Sequence, residues 1–466
     1  MKTPFVKMFR SAGAFFLYDV NHNRVLKIER ELYDAICYMQ KHGMENCEHF
    51  SESTKSSIDQ LVKDGYLKSS DIITRIENYS SDYYKSCLDA RMNSLVLEVT
   101  QNCNYRCSYC PFSATDNFDR VHNEKRMTFE LAKKAIDLYA QHSTYQEYKS
   151  ISFYGGEPLL EYSLIKKCVE YSVQKFGIDK LSFHMTTNAS LLTLDVIKFL
   201  SKNNFYLVIS LDGYKEYHDK NRKQRDFSPS FDTVYRNIEL IHNNQEKYPL
   251  HLRFNAVWDG SVTYESIEHF FLTDSILKNY PFEIGAMSSN ATNNKFVRDE
   301  QVVMADKFEL LKKWINGTYN IYTDPNYKYL FDRLENHAAM FQIYHHAGPC
   351  IAGQTKLFVT PEGVLYPCER YSKNCECAKI GRLDEEIAYD NVYQLLNYGH
   401  VCADDCKHCW AIRLCSMCPM TVNGTDVLSY ELKKANCTSL KKQILNDLKA
   451  ICAFEYLQRQ NMIEVQ

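Results

Sequence analysis

The chain has 466 residues with a formal net charge of −3, 45% hydrophobic and 24% charged residues. This composition excludes a disordered protein, and the length exceeds one compact core, so two or three domains are expected. Lys and Arg are dispersed and no run approaches the ~18 apolar residues of a bilayer span, so neither nucleic acid nor membrane is expected as a partner and the protein reads as cytoplasmic.

Residues 1–85 begin with β-like "AFFLYDV" and "RVLKI" split by the turn "NHN". Helical patterns follow at "ERELYDAICYMQKHG" and "STKSSIDQLVKDG", and "YLKSSDIITRI" reads as a strand pair. That order predicts a small winged-helix domain, with polar "ENYSSDYYKS" as its linker. Over 93–330, the apolar runs "SLVLEVT", "SISFYGG", "LSFHMTTN", "LVISLDG" and "LHLRFNAVWD" alternate with helix-patterned segments such as "FELAKKAIDLYAQHS" and "YSLIKKCVEYSVQKFG". Repeated βα units predict an α/β fold with a parallel sheet, open or barrel-like, whose site lies at the carboxyl ends of the strands.

A reducing cytosol keeps thiols free, so clusters among the 18 cysteines read as metal ligands rather than disulfides. Cys37, Cys47, Cys87, Cys168 and Cys452 are isolated and read as small buried hydrophobes. The other 13 fall within 103–110 and 350–437. The second stretch has few long apolar periodic segments and is expected to fold around metal rather than a core.

Cys103, Cys107 and Cys110 follow "SLVLEVT" as C-x3-C-x2-C. An iron-sulfur cubane takes four ligands, so three close thiolates leave one iron open; zinc would ordinarily add a distant second pair. With Tyr109 directly before the last cysteine, and with "YGGEP" (154–158), "TTN" (186–188), "SLDG" (210–213) and "HDKNR" (218–222) following in order, the chain resembles the radical S-adenosylmethionine (radical SAM) superfamily. The resemblance implies a partial (β/α)6 TIM-type barrel. Its cofactor contacts would come from Tyr109, from Gly155, Gly156 and Glu157 near the methionine amino group, and from Asn188; Ser210 would meet the ribose and Arg222 the carboxylate. It also implies reductive cleavage of the sulfonium to a 5'-deoxyadenosyl radical. Ala189 stands where the family often has Gly. Asp212 could serve as a base at a strand end or cap the next helix.

Cys350, then Gly363 and four residues to Cys368, then Cys406-x2-Cys409-x5-Cys415-x2-Cys418, then Cys437 resembles the SPASM domain, an iron-sulfur extension spanning 345–445 here, before a C-terminal helix at 446–466. The resemblance implies two auxiliary clusters, making three 4Fe-4S clusters in all. Cys406, Cys409, Cys415 and Cys437 would hold the outer one, and Cys350, Cys368 and Cys418 the inner one. Cys415 and Cys418 are separated by two residues where three are common, and no cysteine lies between Cys350 and Cys368. The inner cluster therefore has an open iron, or takes a fourth ligand from Cys375, Cys377 or Cys402.

The winged-helix order of 1–85 resembles the peptide-recognition element of enzymes that modify ribosomally made precursors, which implies a peptide maturase that joins a cysteine sulfur to carbon and whose N-terminal domain would take the precursor leader as an added strand. A flavodoxin- or ferredoxin-type reductant is implied. The alternatives are a carbon-carbon or carbon-oxygen cross-linking or epimerising maturase, an anaerobic sulfatase-maturing enzyme, and a zinc-bound peptide-binding protein.

Overall fold

The computed structural model describes residues 3–43, 50–110, 122–287, 312–313, 316–317, 320–338, 340–346, 348, 350–371, 373, 375–424 and 426–464. Cys47, read above as a buried hydrophobe, lies outside them. Three antiparallel strands, β1 (Val6–Ser11), β2 (Ala14–Asp19) and β3 (Arg24–Ile28), open the chain. Val6 and Leu17 face helices α1 (Arg30–His42) and α2 (Glu52–Lys63), meeting Ile36, Met39 and Ile58. The opposite face, Phe9, Phe16 and Tyr18, packs on Ile444, Leu448 and Ile451 of the C-terminal helix Tyr430–Glu464.

Two features differ from the winged-helix expectation. Val6–Ser11 is a third strand that the sequence reading missed, because "VKMFRS" alternates weakly. The expected strand pair at 66–76 reduces to β4 (Arg75–Ile76), which pairs with Ile343–Tyr344 far along the chain. The expected linker is also ordered: Ser80 accepts from the Tyr83 N–H and starts helix α3 (Ser81–Ala90), which buries Tyr84, Cys87 and Leu88 in the main core. The polar composition of "ENYSSDYYKS" concealed a cap followed by one apolar stripe.

Among the described residues the main sheet has nine strands in mixed orientation. Six parallel strands, β5 (Ser94–Thr100), β6 (Lys149–Gly155), β7 (Leu181–Thr187), β8 (Phe205–Ser210), β9 (His251–Trp258) and β10 (Phe282–Ala286), lie side by side in chain order. That monotonic order is the winding of a (β/α) barrel rather than of a doubly wound sheet. Among the described residues the sheet is open, with β10 at one edge. Helices α4 (Phe129–His142), α5 (Tyr162–Phe176) and α6 (Leu194–Lys202) connect successive strands; Thr128 and Thr193 cap α4 and α6 by accepting from the Leu131 and Val196 N–H groups. Alternation sends Leu97, Phe153, Phe183 and Phe205 into the helix-covered core, where Phe153 and Phe183 stack at 6.1 Å and Phe183 and Phe205 at 5.2 Å. Tyr154, His184 and Tyr206 take the other, more open face.

The cysteine-rich region has a core after all. Leu357–Val359 pairs parallel to β5 and continues through Val364–Tyr366 and Gly381–Arg382, so Leu357, Phe358, Val359 and Leu365 extend the barrel core. These strands are two or three residues long. They gave no periodic signal because such short pieces are stable only against a neighbour. Lys373 reaches back to the fully buried Glu98 on β5 at 2.6 Å. The C-terminal helix starts at Tyr430, not at 446, and so carries Cys437. Cys168 and Cys452 are buried among apolar side chains, and Cys37 is half-buried.

Candidate active site

The loop after β5 carries Cys103, Cys107 and Cys110. Its shape comes from backbone contacts that side-chain identity alone does not reveal. The Arg106 N–H donates to the Lys223 carbonyl at 2.8 Å and the Ser108 N–H to the Asn221 carbonyl at 2.9 Å. Arg106 donates from one guanidinium nitrogen to the carbonyls of Cys103 and Tyr105. The Tyr105 N–H points at the Cys103 sulfur at 3.3 Å. Cys103 and Cys107 are buried, and burial pushes each thiol up to about 12, so metal loading must displace their protons.

Gly155 and Gly156, at the end of β6, press on this loop. A Cβ on Gly155 would lie 2.0 Å from the Thr100 carbonyl oxygen, and one on Gly156 would lie 2.1 Å from the Asn102 oxygen and 2.9 Å from Cys103 Cβ. The glycines are thus demanded by the approach of β6 to the cysteine loop; the Gly156 and Glu157 N–H groups bond to the Thr100 and Asn102 carbonyls at 3.0 Å each. The buried Glu157 carboxylate accepts from Thr187 Oγ1 (2.7 Å), the Asn188 N–H (2.8 Å) and the Leu159 N–H (3.1 Å). It therefore ties the ends of β6 and β7. Burial raises its pKa, although these donors oppose the rise. Asn188 donates to Asn104 Oδ1 at 2.8 Å, holding the TTN turn against the cysteine loop. Ala189 has a left-handed φ of 61°, the conformation that explains why glycine is at ease there.

Asp212 does not cap the helix that follows it. It is fully buried just past β8, and helix α7 (Lys215–Asn221) starts with Tyr214 as its cap. Its Oδ2 accepts from the Tyr109 hydroxyl at 2.6 Å, and its Oδ1 from Arg222 Nε at 3.0 Å and the Val257 N–H at 3.1 Å. The Arg222 guanidinium also lies 5.4 Å from the Tyr109 ring centre. One carboxylate thus links the CxxxCxxC loop, β9 and the HDKNR segment. Among the described residues only Nε of Arg222 is engaged, which leaves its terminal nitrogens for a ligand carboxylate. Burial disfavours the charged guanidinium, but Asp212, Tyr109 and Cys107 together outweigh it and hold the Arg222 pKa above its usual value. Ser210, the last residue of β8, is half-buried.

His218 is a further contributor that the sequence reading missed. Its Nδ1 accepts from the Asp212 N–H at 3.3 Å, and Nε2 meets Ser230 Oγ at 3.0 Å, whose own proton goes to the Arg222 carbonyl. Those partners suit a neutral imidazole, and burial lowers its pKa to about 3. Asn221 accepts from Ser108 Oγ at 2.7 Å and is oriented by Asp259. Both residues were visible in "HDKNR"; their partners were not.

The C-terminal cysteines separate into two groups. Cys350, Cys368 and Cys418 act on one another and on the buried Tyr371 hydroxyl; burial, reinforced by Glu369, pushes Cys368 up to about 12. Cys406, Cys409, Cys415 and Cys437 all feel the charge of Lys433, whose Nζ lies 3.6 Å from Cys406 Sγ. Cys402, one of three candidates for completing the first group, belongs to the second: its sulfur lies 3.7 Å from that of Cys406, and hydrogen bonds from Cys406 and Cys437 lower its pKa. Cys375 and Cys377 face each other at 2.8 Å in the main core.

The donor sets suit iron-sulfur clusters. Both consist of soft sulfur, the donor that iron-sulfur clusters take. Lys433 supplies a second argument. It is fully buried, its Nζ bonded to the Tyr398 carbonyl at 3.0 Å and placed 3.6 Å from Cys406 Sγ. No carboxylate among the described residues forms an ion pair with it. A buried ammonium needs a compensating anion, and the thiolates around it are the groups able to supply one.

Residues 97–255 match the Radical SAM superfamily model. The radical SAM cyclopropyl synthase TigE of Paramaledivibacter caminithermalis is 21% identical over 87% of this chain and 86% of its own length. A cysteine-type anaerobic sulfatase-maturating enzyme of Clostridium novyi is 29% identical over 34% of this chain and 42% of its own. The solved structure of anSMEcpe with bound AdoMet aligns with TM-score 0.55 at 20% identity, covering 78% of this chain and 99% of that one. Among the described residues no helix is long and apolar enough to cross a membrane.

Proposed function

The chain belongs to the radical SAM superfamily, and on that premise we propose that it matures a ribosomally made peptide by joining a cysteine sulfur to carbon. When bound at Cys103, Cys107 and Cys110, a 4Fe-4S cluster with AdoMet supplies reductive cleavage to a 5'-deoxyadenosyl radical. The protein's part is placement. Gly155 and Gly156 let β6 seat the cysteine loop, Arg222 offers its free nitrogens to the AdoMet carboxylate, and Asp212 fixes that guanidinium against Tyr109. Asn188 and Ser210 stand at the adjoining strand ends, where the methionine and ribose moieties would lie. Cys406, Cys409, Cys415 and Cys437 would hold an outer auxiliary cluster, and Cys350, Cys368 and Cys418 an inner one. The precursor leader would bind the N-terminal three-stranded sheet, and a flavodoxin or ferredoxin would deliver electrons in the cytoplasm.

The single observation that favours the thioether is the inner group of three thiols. Cys402 lies beside Cys406 of the outer group, which supports an inner cluster held by three thiols with an iron open to a substrate thiolate, unless Cys375 or Cys377, 2.8 Å apart, completes it. Carbon-carbon bond formation is the second reading, favoured by likeness to TigE over most of both chains. Sulfatase maturation is a third, carried by sequences alike over about a third of this chain. Mass spectrometry of the precursor after anaerobic turnover and thiol alkylation separates them. A thioether removes two hydrogens and one alkylatable thiol; a product with its thiols intact rejects it.

A further inference from the structure

Cys406 lies 3.6 Å from Lys433 Nζ, and the charge of Lys433 also acts on Cys402, Cys409, Cys415 and Cys437, making five thiols where a cubane offers one protein position on each of four irons. We infer that Cys402 and Cys406 are alternative ligands for one iron of the outer auxiliary cluster, so that either thiolate suffices. The inference rests on the reading that this cysteine group holds a cluster. Cys402 ends the 3-10 turn Tyr398–Cys402, and Cys406 follows four residues later on the short helix Ala403–Lys407. Residues at that spacing share one face of the chain, which brings the sulfurs to 3.7 Å.

An iron already bound by three sulfides has room for one thiolate, and ligands on different irons are held apart by the body of the cubane. Two sulfurs this close therefore address one corner, not two. Both belong to the group: Cys402 takes a hydrogen bond from Cys437, and Cys406 lies beside Lys433 and Cys409. The Lys433 ammonium, held by the Tyr398 carbonyl, stays beside the pair whichever sulfur is on iron. It offsets the charge of the displaced thiolate, so exchange leaves no uncompensated buried anion.

The test uses the full chain with Cys103, Cys107 and Cys110 replaced by Ala, so that all bound iron is auxiliary. Into it go Cys402→Ser, Cys406→Ser, both together, and Cys409→Ser, each reconstituted with 57Fe. Iron content and Mössbauer spectra are the readouts, with circular dichroism melts as a check on folding. Either single Cys402 or Cys406 variant is expected to keep its parent's iron and its parent's Mössbauer spectrum, while the double variant and Cys409→Ser, each left with one corner without a thiolate, lose iron or show one iron with altered Mössbauer parameters. Loss of iron or an altered iron in either single variant alone overturns the inference, and this holds even if the double variant fails to fold. A Cys409→Ser protein with its parent's iron and an unchanged spectrum would instead take Cys409 out of the cluster, and the premise with it.

Discussion

Asp212→Asn isolates the electrostatic role of the carboxylate that joins Tyr109, Arg222 and Val257. The replacement is nearly isosteric. With its amide oxygen toward Arg222 Nε and the Val257 N–H, its NH2 faces the Tyr109 hydroxyl, which can turn to accept; the hydrogen bonds survive and the charge does not. Arg222 is then a buried guanidinium, 8% exposed, without its counter-ion. Breaking a buried pair from one side costs about 3–5 kcal/mol, and that loss is expected in urea unfolding of the metal-free protein. Adding Arg222→Met should recover a large part, giving an interaction energy of roughly 2 kcal/mol or more in the double-mutant cycle. A single variant within about 1 kcal/mol of the parent, or strictly additive losses, would refute the claim that this ion pair braces the site. AdoMet affinity of the reconstituted single variant should also fall, because the guanidinium loses its fixed orientation.

Gly156→Ala should displace Cys103, since the new methyl lies 2.1 Å from the Asn102 oxygen; about 3 kcal/mol of strain is expected, with iron lost from the first site while the auxiliary iron remains, read as iron per chain. Ala189→Gly relieves a left-handed alanine and should change stability by about 0 to +1 kcal/mol in urea melts, strain relief of about 1–2 being partly offset by chain entropy. Acid should destabilise the metal-free protein through buried histidines. Burial lowers the pKa of His218 and of His345 to about 3, and that of His346 well below its usual value. The unfolded chain takes up protons below about pH 6.5 that the native histidines refuse, so their stabilisation is complete above that pH and is lost as pH falls. At pH 5 each contributes a loss of about 2 kcal/mol, and a urea midpoint unchanged between pH 7.5 and 5 would contradict this.

Which elements could be read from the linear chain follows from how local their causes are. The repeated βα pattern over 93–330, the C-x3-C-x2-C loop at a strand end and the two glycines after β6 are encoded within a few residues, so periodicity and spacing sufficed to place them. Leu357–Val359 and Arg75–Ile76 form strands only because β5 and Ile343–Tyr344 supply hydrogen-bonding partners from far along the chain, and no short window carries that information. Val6–Ser11 and helix α3 lacked contrast between apolar and polar positions until a partner surface defined which face was inside.

At the site, residue types announced sulfur ligation and a carboxylate-binding arginine, whereas tertiary structure decided the assignments. Asp212 looked equally able to cap the next helix, and only folding brought Arg222, ten residues on, and Tyr109, over a hundred residues earlier, to it. Cys402 looked available to either cysteine group until a helical turn set it 3.7 Å from Cys406. Chemical identity is a property of a single residue and survives in the sequence. A charge partner or a shared ligand position is a distance, and it exists only once the chain has folded.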